Sequence, residues 1–318
     1  MPDPLVDPPF AEQIRRAWGK WWSGLSSNLR GAVLFIAGSL LFSIMIAMIK
    51  IAGERLHVTE ILFFRQLTMT LIAAPVIIAG WPQSMQSARP GLQVIRVAMA
   101  FMAMLLGFLA FIKLTMAEAT VIAFSKTFFT TILAIFLLGE IVRAARWIAL
   151  VAGFVGVGII VWPDSEFGLN IWHILSVISA VCVSVVMIII RILARLDQPV
   201  TILTYQAVGV GVLMIPPTIW FWQMPTAYEW GLLVAIGIIS AIAQYLNILA
   251  FKAGEASALA PLEYTRLLFA TVLGLWLFDE WPEPQIWLGA AIIIVAAMYM
   301  MHRERLSVIN RIPDDKKP

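Results

Sequence analysis

The sequence predicts an all-α integral membrane protein of ten transmembrane helices, arranged as two inverted five-helix repeats. Three observations predict it. Of 318 residues, 61% are hydrophobic and only 13% charged, against about 25% charged in a typical soluble domain. Apolar runs long enough to cross a bilayer recur with short connections between them. The two halves of the chain also match one another at a nearly constant offset.

Taken in order, residues 1–30 are expected to form a cytoplasmic tail. Pro2, Pro4, Pro8 and Pro9 argue against regular structure at its start. Ile14, Trp18, Trp21 and Leu25 then recur at helical spacing beside Arg15, Arg16 and Lys20. That describes an amphipathic, tryptophan-rich helix lying on an anionic membrane surface. The first apolar run begins near Gly31 and has the length of a span, so no cleavable leader is expected. Spans are placed near 31–50, 59–80, 92–113, 117–138 and 145–162, making repeat one, residues 31–162. The second repeat, residues 171–301, has spans near 171–194, 200–222, 228–251, 256–278 and 285–301. Residues 302–318 form a second tail.

Basic residues set the expected orientation. With the N-terminus inside, 16 Lys and Arg fall on the inner face, three (Lys50, Arg55 and Lys113) on the outer face, and three (Arg65, Lys126 and Arg266) within spans. This bias places both termini in the cytoplasm of a bacterial-type inner membrane. The net charge of +3 gives no reason to invoke nucleic acid. The single cysteine, Cys182, rules out an internal disulfide and reads as a packing residue.

The stretch from Gly254 to Glu280, GEASALAPLEYTRLLFATVLGLWLFDE, organises the chain. It holds Glu263, Tyr264 and Arg266 inside an otherwise apolar span. Arg266 lies roughly 15 Å along a helix entering near Ala256, about the middle of a hydrocarbon core. A charge there costs at least about 2.5–3.5 kcal/mol unless it faces protein or water. Glu263 and Arg266 share a helix face at a spacing of three. The run from Ala117 to Glu140, AEATVIAFSKTFFTTILAIFLLGE, is its twin. At an offset of 140, Lys126 falls on Arg266, and at 137 it falls on Glu263. Elsewhere, at 141, Ser43 meets Ser184, Lys50 meets Arg191 and Pro75 meets Pro216. Five spans per unit is an odd number, so the second unit enters from the opposite side, a construction common among secondary transporters.

These two phrases, with their LLGE and LFDE endings, make the chain resemble the EamA-type branch of the drug/metabolite transporter superfamily over about residues 31–301. The resemblance implies a ten-helix carrier that moves metabolites by alternating access, without ATP. Such proteins often have a proline shortly after the position of Lys126, where this chain has Thr127.

Candidate substrate-binding residues follow from intramembrane polarity. Lys126, Arg266 and Arg65 are the cations within spans, and Glu263 is the one deep acid. The excess of positive charge points to an anionic or zwitterionic substrate whose carboxylate or phosphate completes the pairing. Gln244 and Asn247 share a face of the eighth span, Tyr205 and Gln206 sit in the seventh, and Tyr264 lies beside Glu263. Each of these also has a structural reading, as a bond between neighbouring helices. Glu263 is the natural candidate for proton coupling, and its neighbour Arg266 works against that role. No phosphate-cradling G-x-x-x-x-G-K-[ST] or zinc-binding H-E-x-x-H motif occurs, so no cofactor, metal or catalytic residue is expected. The expected function is secondary transport of a small polar metabolite, not enzymatic. Its partners are that small molecule and the lipid bilayer, with a homodimer left open. The rival readings are a membrane-embedded enzyme and a non-transporting receptor.

Overall fold

In the computed structural model the described residues are 25–82, 85–138, 144–161, 170–254 and 259–309. The tryptophan-rich segment before residue 25, Glu140 and most of the C-terminal tail lie outside them. The described residues are helical throughout, with turns between. The helices are α1 (Ser27–Ala52), α2 (Val58–Ala79), α3 (Pro90–Lys113), α4 (Met116–Phe124), α5 (Lys126–Leu138) and α6 (Ala144–Val161). They continue as α7 (Ile171–Leu193), α8 (Pro199–Thr204), α9 (Val210–Trp220), α10 (Ala227–Ala253), α11 (Thr265–Phe278) and α12 (Pro284–Ile309). Among the described residues, seven stretches are long and apolar enough to cross a membrane: α1, α2, α3, α4 with most of α5, α7, α8 through α9, and α10. Shorter apolar helices lie at Leu150–Ile160 and Pro284–Ala296.

Helix ends are written in the sequence. Ser26, Thr115, Asn170 and Thr226 each cap a helix through a side-chain oxygen, satisfying backbone donors that have no partner within the helix. Thr115 with Glu118, and Thr226 with Glu229, form complete capping boxes.

Three expected spans are not continuous α-helices. The fourth breaks at Ser125, between α4 and α5. The seventh contains a π-turn, Tyr205–Gly209, between α8 and α9. The ninth contains a 3₁₀ turn, Ala260–Tyr264, before α11. Pro261, at the start of that turn, lacks the N–H that a helix interior requires. At the first two of these points side chains, most of them from neighbouring helices, bond the freed carbonyls. Ser184 Oγ and Thr130 Oγ1 both donate to the Lys126 carbonyl, at 2.8 and 2.7 Å. Gln66 Nε2 and Thr70 Oγ1 donate to the Ala207 carbonyl of the π-turn, at 3.2 and 3.1 Å.

The most extensive helix pairings are α1 with α10, α3 with α7, and α6 with α12. Small residues permit close approach. A Cβ on Gly153 of α6 would overlap the Phe128 ring of α5, and one on Gly156 would sit 3.0 Å from the Gly289 carbonyl of α12. Gly158, in the same run, meets nothing within 4 Å.

Candidate functional site

The fourth and ninth spans, two of the three interrupted ones, meet at their charges. Lys126, the first residue of α5, donates from Nζ to Glu263 Oε1 at 2.5 Å. Glu263 lies in the 3₁₀ turn leading into α11. Arg266, one turn on, brings Nη1 to 3.8 Å from the same oxygen. One carboxylate therefore stands between two cations from opposite halves of the chain. The Lys126 and Glu263 side chains keep 20% and 30% of their surface, so the triad is sheltered but not sealed.

Aromatic rings wall the triad. The Arg266 guanidinium carbon lies 4.6 Å from the centre of the Phe42 ring, a cation–π placement. Tyr264 packs edge-on against Phe124, with ring centres 5.0 Å apart. Arg266 Nε is buried and makes no hydrogen bond. A buried donor without a partner is costly, and here it leaves unused capacity beside the one carboxylate.

The other expected residues are distributed elsewhere. Arg65 of α2 lies with its guanidinium carbon 5.6 Å from the centre of the Phe108 ring, its Nε also buried and without a hydrogen bond. Gln244 is exposed on α10. Asn247 turns toward Gly38 of α1, where a Cβ would sit 3.0 Å from its Oδ1; that oxygen is buried and receives no hydrogen bond. The Tyr205 hydroxyl donates to the Met85 carbonyl at 3.1 Å. Gln206 Oε1 accepts from Arg96 Nη1 at 3.0 Å.

That last bond belongs to a network absent from the sequence-based expectations. Arg96, counted there among inner-face charges, is only 1% exposed. Its Nη2 donates to the Ile202 carbonyl at 2.7 Å, and its Nε donates to Gln93 Oε1 at 3.1 Å. Gln93 passes the connection on, donating from Nε2 to Asp197 Oδ2 at 2.8 Å. Asp197 also accepts from Ser87 Oγ at 2.5 Å and from the Ala88 N–H at 2.8 Å. Burial works to raise the Asp197 carboxyl, but its three donors outweigh burial and hold it below its usual value. The network ties the segment between α2 and α3 to the segment between α7 and α8.

A comparable clasp lies at the other ends of these helices. Arg55, between α1 and α2, pairs with Glu229 in the first turn of α10 and donates to the Met224 carbonyl at 3.0 Å. Nearby, Glu60 of α2 is fully buried; Oε2 accepts from the Gln223 N–H at 3.3 Å, while Oε1 has no hydrogen bond. Glu60 is thus a second sheltered acid, which its place at a span end concealed in the sequence. No cluster able to hold a metal ion occurs among the described residues.

The model of the EamA-like transporter family matches this chain twice, over residues 29–162 and 170–301. The chain belongs to the EamA-like transporter family. Its similarity to an S-adenosylmethionine uptake transporter of Rickettsia bellii is 29% identity over 83% of this chain and 91% of that protein. It is also 29% identical to the pseudopaline exporter CntI of Pseudomonas aeruginosa, over 86% of this chain and 97% of the exporter. A riboflavin transporter of Brucella anthropi is 25% identical over 80% and 92%. A solved crystal structure superposes with a TM-score of 0.60 at 20% identity, covering 86% of this chain and 97% of its own, which speaks to fold alone. This chain is accordingly an integral membrane transporter of the drug/metabolite superfamily, and not an enzyme.

Proposed function

We propose that this EamA-family protein is a ten-span, ATP-independent carrier of a small polar metabolite bearing an anionic or zwitterionic group, working by alternating access in a bacterial inner membrane. The observation that carries the reading is the Lys126–Glu263–Arg266 triad. Two cations share one acid, which leaves one positive charge for a substrate carboxylate or phosphate. The broken helices that present it repeat a design in which interrupted spans form the substrate site between two halves. Tyr264 and Phe42 would wall that site. Arg65 and Asn247 each retain a buried polar atom able to take a second substrate group. Gln244, exposed on α10, stays a candidate contact, while the bonds of Tyr205 and Gln206 favour an anchoring role.

The inverted repeat is supported by the pattern of helix packing. Let α1, α2, α3, α4–α5 and α6 exchange with α7, α8–α9, α10, the 3₁₀ turn with α11, and α12. The pairing of α1 with α10 becomes that of α7 with α3. The pairing of α2 with α10 becomes that of α8–α9 with α3, and α4–α5 with α7 becomes α11 with α1. The pairs α2 with α9, α4 with α11 and α6 with α12 map onto themselves. These larger pairings follow a two-fold axis in the membrane plane, while smaller ones, such as α1 with α3 and α4 with α12, have weaker counterparts at most. The bias of basic residues then places both termini in the cytoplasm.

The relatives named for S-adenosylmethionine uptake and pseudopaline export favour a substrate with ionised groups. Counterflow in proteoliposomes, with a labelled panel of amino acids, dicarboxylates, nucleosides and neutral sugars, tests the reading. Selective uptake of anionic or zwitterionic members is expected. Uptake confined to neutral sugars would assign the triad to holding helices together.

A further inference from the structure

An ion pair away from the triad closes one end of the molecule. Lys50 lies in the last turn of α1, and Glu280 follows the end of α11 by two residues. Asp279 adopts the left-handed conformation, φ 53°, and the Glu280 N–H reaches back to the Gly274 carbonyl at 3.1 Å. This turn folds the Glu280 carboxylate over the helix end. Glu280 Oε1 accepts from Lys50 Nζ, and Oε2 accepts from the Met116 N–H at 2.8 Å. Met116 is the first residue of α4, so the carboxylate also sits on that helix's positive end. Lys50 Nζ donates in addition to the Leu114 carbonyl, just past α3, at 2.5 Å. One pair thus ties together the ends of α1, α3, α4 and α11. Both side chains are sheltered, at 12% and 15% exposure.

The helices it joins are the ones that matter for access. α4–α5 carries Lys126, and the 3₁₀ turn with α11 carries Glu263 and Arg266. Opening the triad to solvent at the Lys50 end would part the ends of α4 and α11 from α1. Parting them takes Glu280 away from Lys50 and Met116 together. A sheltered pair with these secondary bonds is strong while made and hydrated once broken, which makes it a two-position element. We propose that Lys50–Glu280 is the outer latch of the carrier, made while the outer side is closed and broken when the triad faces outward. The proposal rests on the carrier reading above.

The test is sidedness of labelling, which needs no knowledge of the substrate. Ala123 lies three residues before Lys126, half-buried in the last turn of α4, the helix whose first residue Glu280 holds. A Cys182→Ser, Ala123→Cys protein is exposed to a membrane-impermeant maleimide in right-side-out and in inside-out vesicles. In the otherwise unaltered protein, labelling from both sides is expected. Lys50→Met and Glu280→Gln should raise the outside-to-inside labelling ratio at least fivefold. Gly274→Ala should act in the same direction with both charges intact, because its Cβ would sit 3.1 Å from Glu280 Oε2. It carries the test alone if the charge variants fail to insert. A ratio unmoved or lowered in the inserted variants overturns the latch. Labelling from one side only in every protein, the unaltered one included, overturns the carrier reading instead.

Discussion

Replacing Glu263 with glutamine removes the one charge that holds Lys126 and Arg266 together. Both cations address the same oxygen, at 2.5 and 3.8 Å, so their charges lie within about 6 Å of each other. At an effective dielectric of about 20, two like charges at that distance repel by roughly 3 kcal/mol. The two cationic side chains keep 20% and 19% of their surface, and screening by water reduces the figure to about 2 kcal/mol. Glu263→Gln should therefore destabilise the protein in detergent by about 2 kcal/mol, close to thirtyfold in the unfolding equilibrium. The informative experiment is a double-mutant cycle with Lys126→Met, followed by SDS unfolding. Removing the lysine as well relieves the repulsion, so the double variant should be more stable than Glu263→Gln alone. Additive losses in the two single variants would refute a triad of coupled charges.

The clasp at Asp197 predicts a pH effect. Its folded-state pKa is lowered, so the stability it contributes is fully present above the unfolded value of about 3.9 and is lost as pH falls through the lower folded value. Asp197→Ala should cost about 1.5–3 kcal/mol at neutral pH and remove the acid-dependent part of the unfolding curve below about pH 4; an unchanged acid limb would contradict the assignment. Gly153→Ala presses a methyl into the fully buried Phe128 ring. It should destabilise by about 1–3 kcal/mol, whereas Gly158→Ala, which meets nothing within 4 Å, should stay within about 0.5 kcal/mol. Thermal scans of the two variants side by side distinguish packing from a general intolerance of α6. Held between two cations, Glu263 acts as their counter-charge, so transport rates with and without an imposed pH gradient should be equal. A rate that follows the gradient would make it a proton carrier.

Much of the architecture was legible because a bilayer imposes a coarse rule. Length and hydropathy alone marked the apolar helices, and most start and stop within a few residues of the expected spans; α11 begins only at Thr265, and α12 runs on to Ile309. The intramembrane charges were legible for the same reason, since apolar surroundings make Lys126, Glu263 and Arg266 conspicuous. Their pairing was not. Spacing along one helix suggested Glu263 with Arg266, yet the shorter contact runs to Lys126, 137 residues away in sequence. Only tertiary packing brings those two together. The break at Ser125 carried no proline or glycine to announce it. Pro261 did signal its own turn. The burial of charges at span ends was not legible, because position relative to the bilayer says nothing of burial against protein. Lys50, Arg96 and Glu60 all fell into that gap.

The most direct test of the central claim is transport by Lys126→Ala and Arg266→Ala, measured by counterflow of a substrate that the unaltered protein carries and normalised to the amount inserted in the membrane. The triad account predicts that both variants insert and fold yet lose transport. Either variant transporting at the unaltered rate would show that its charge serves the helices and not the substrate.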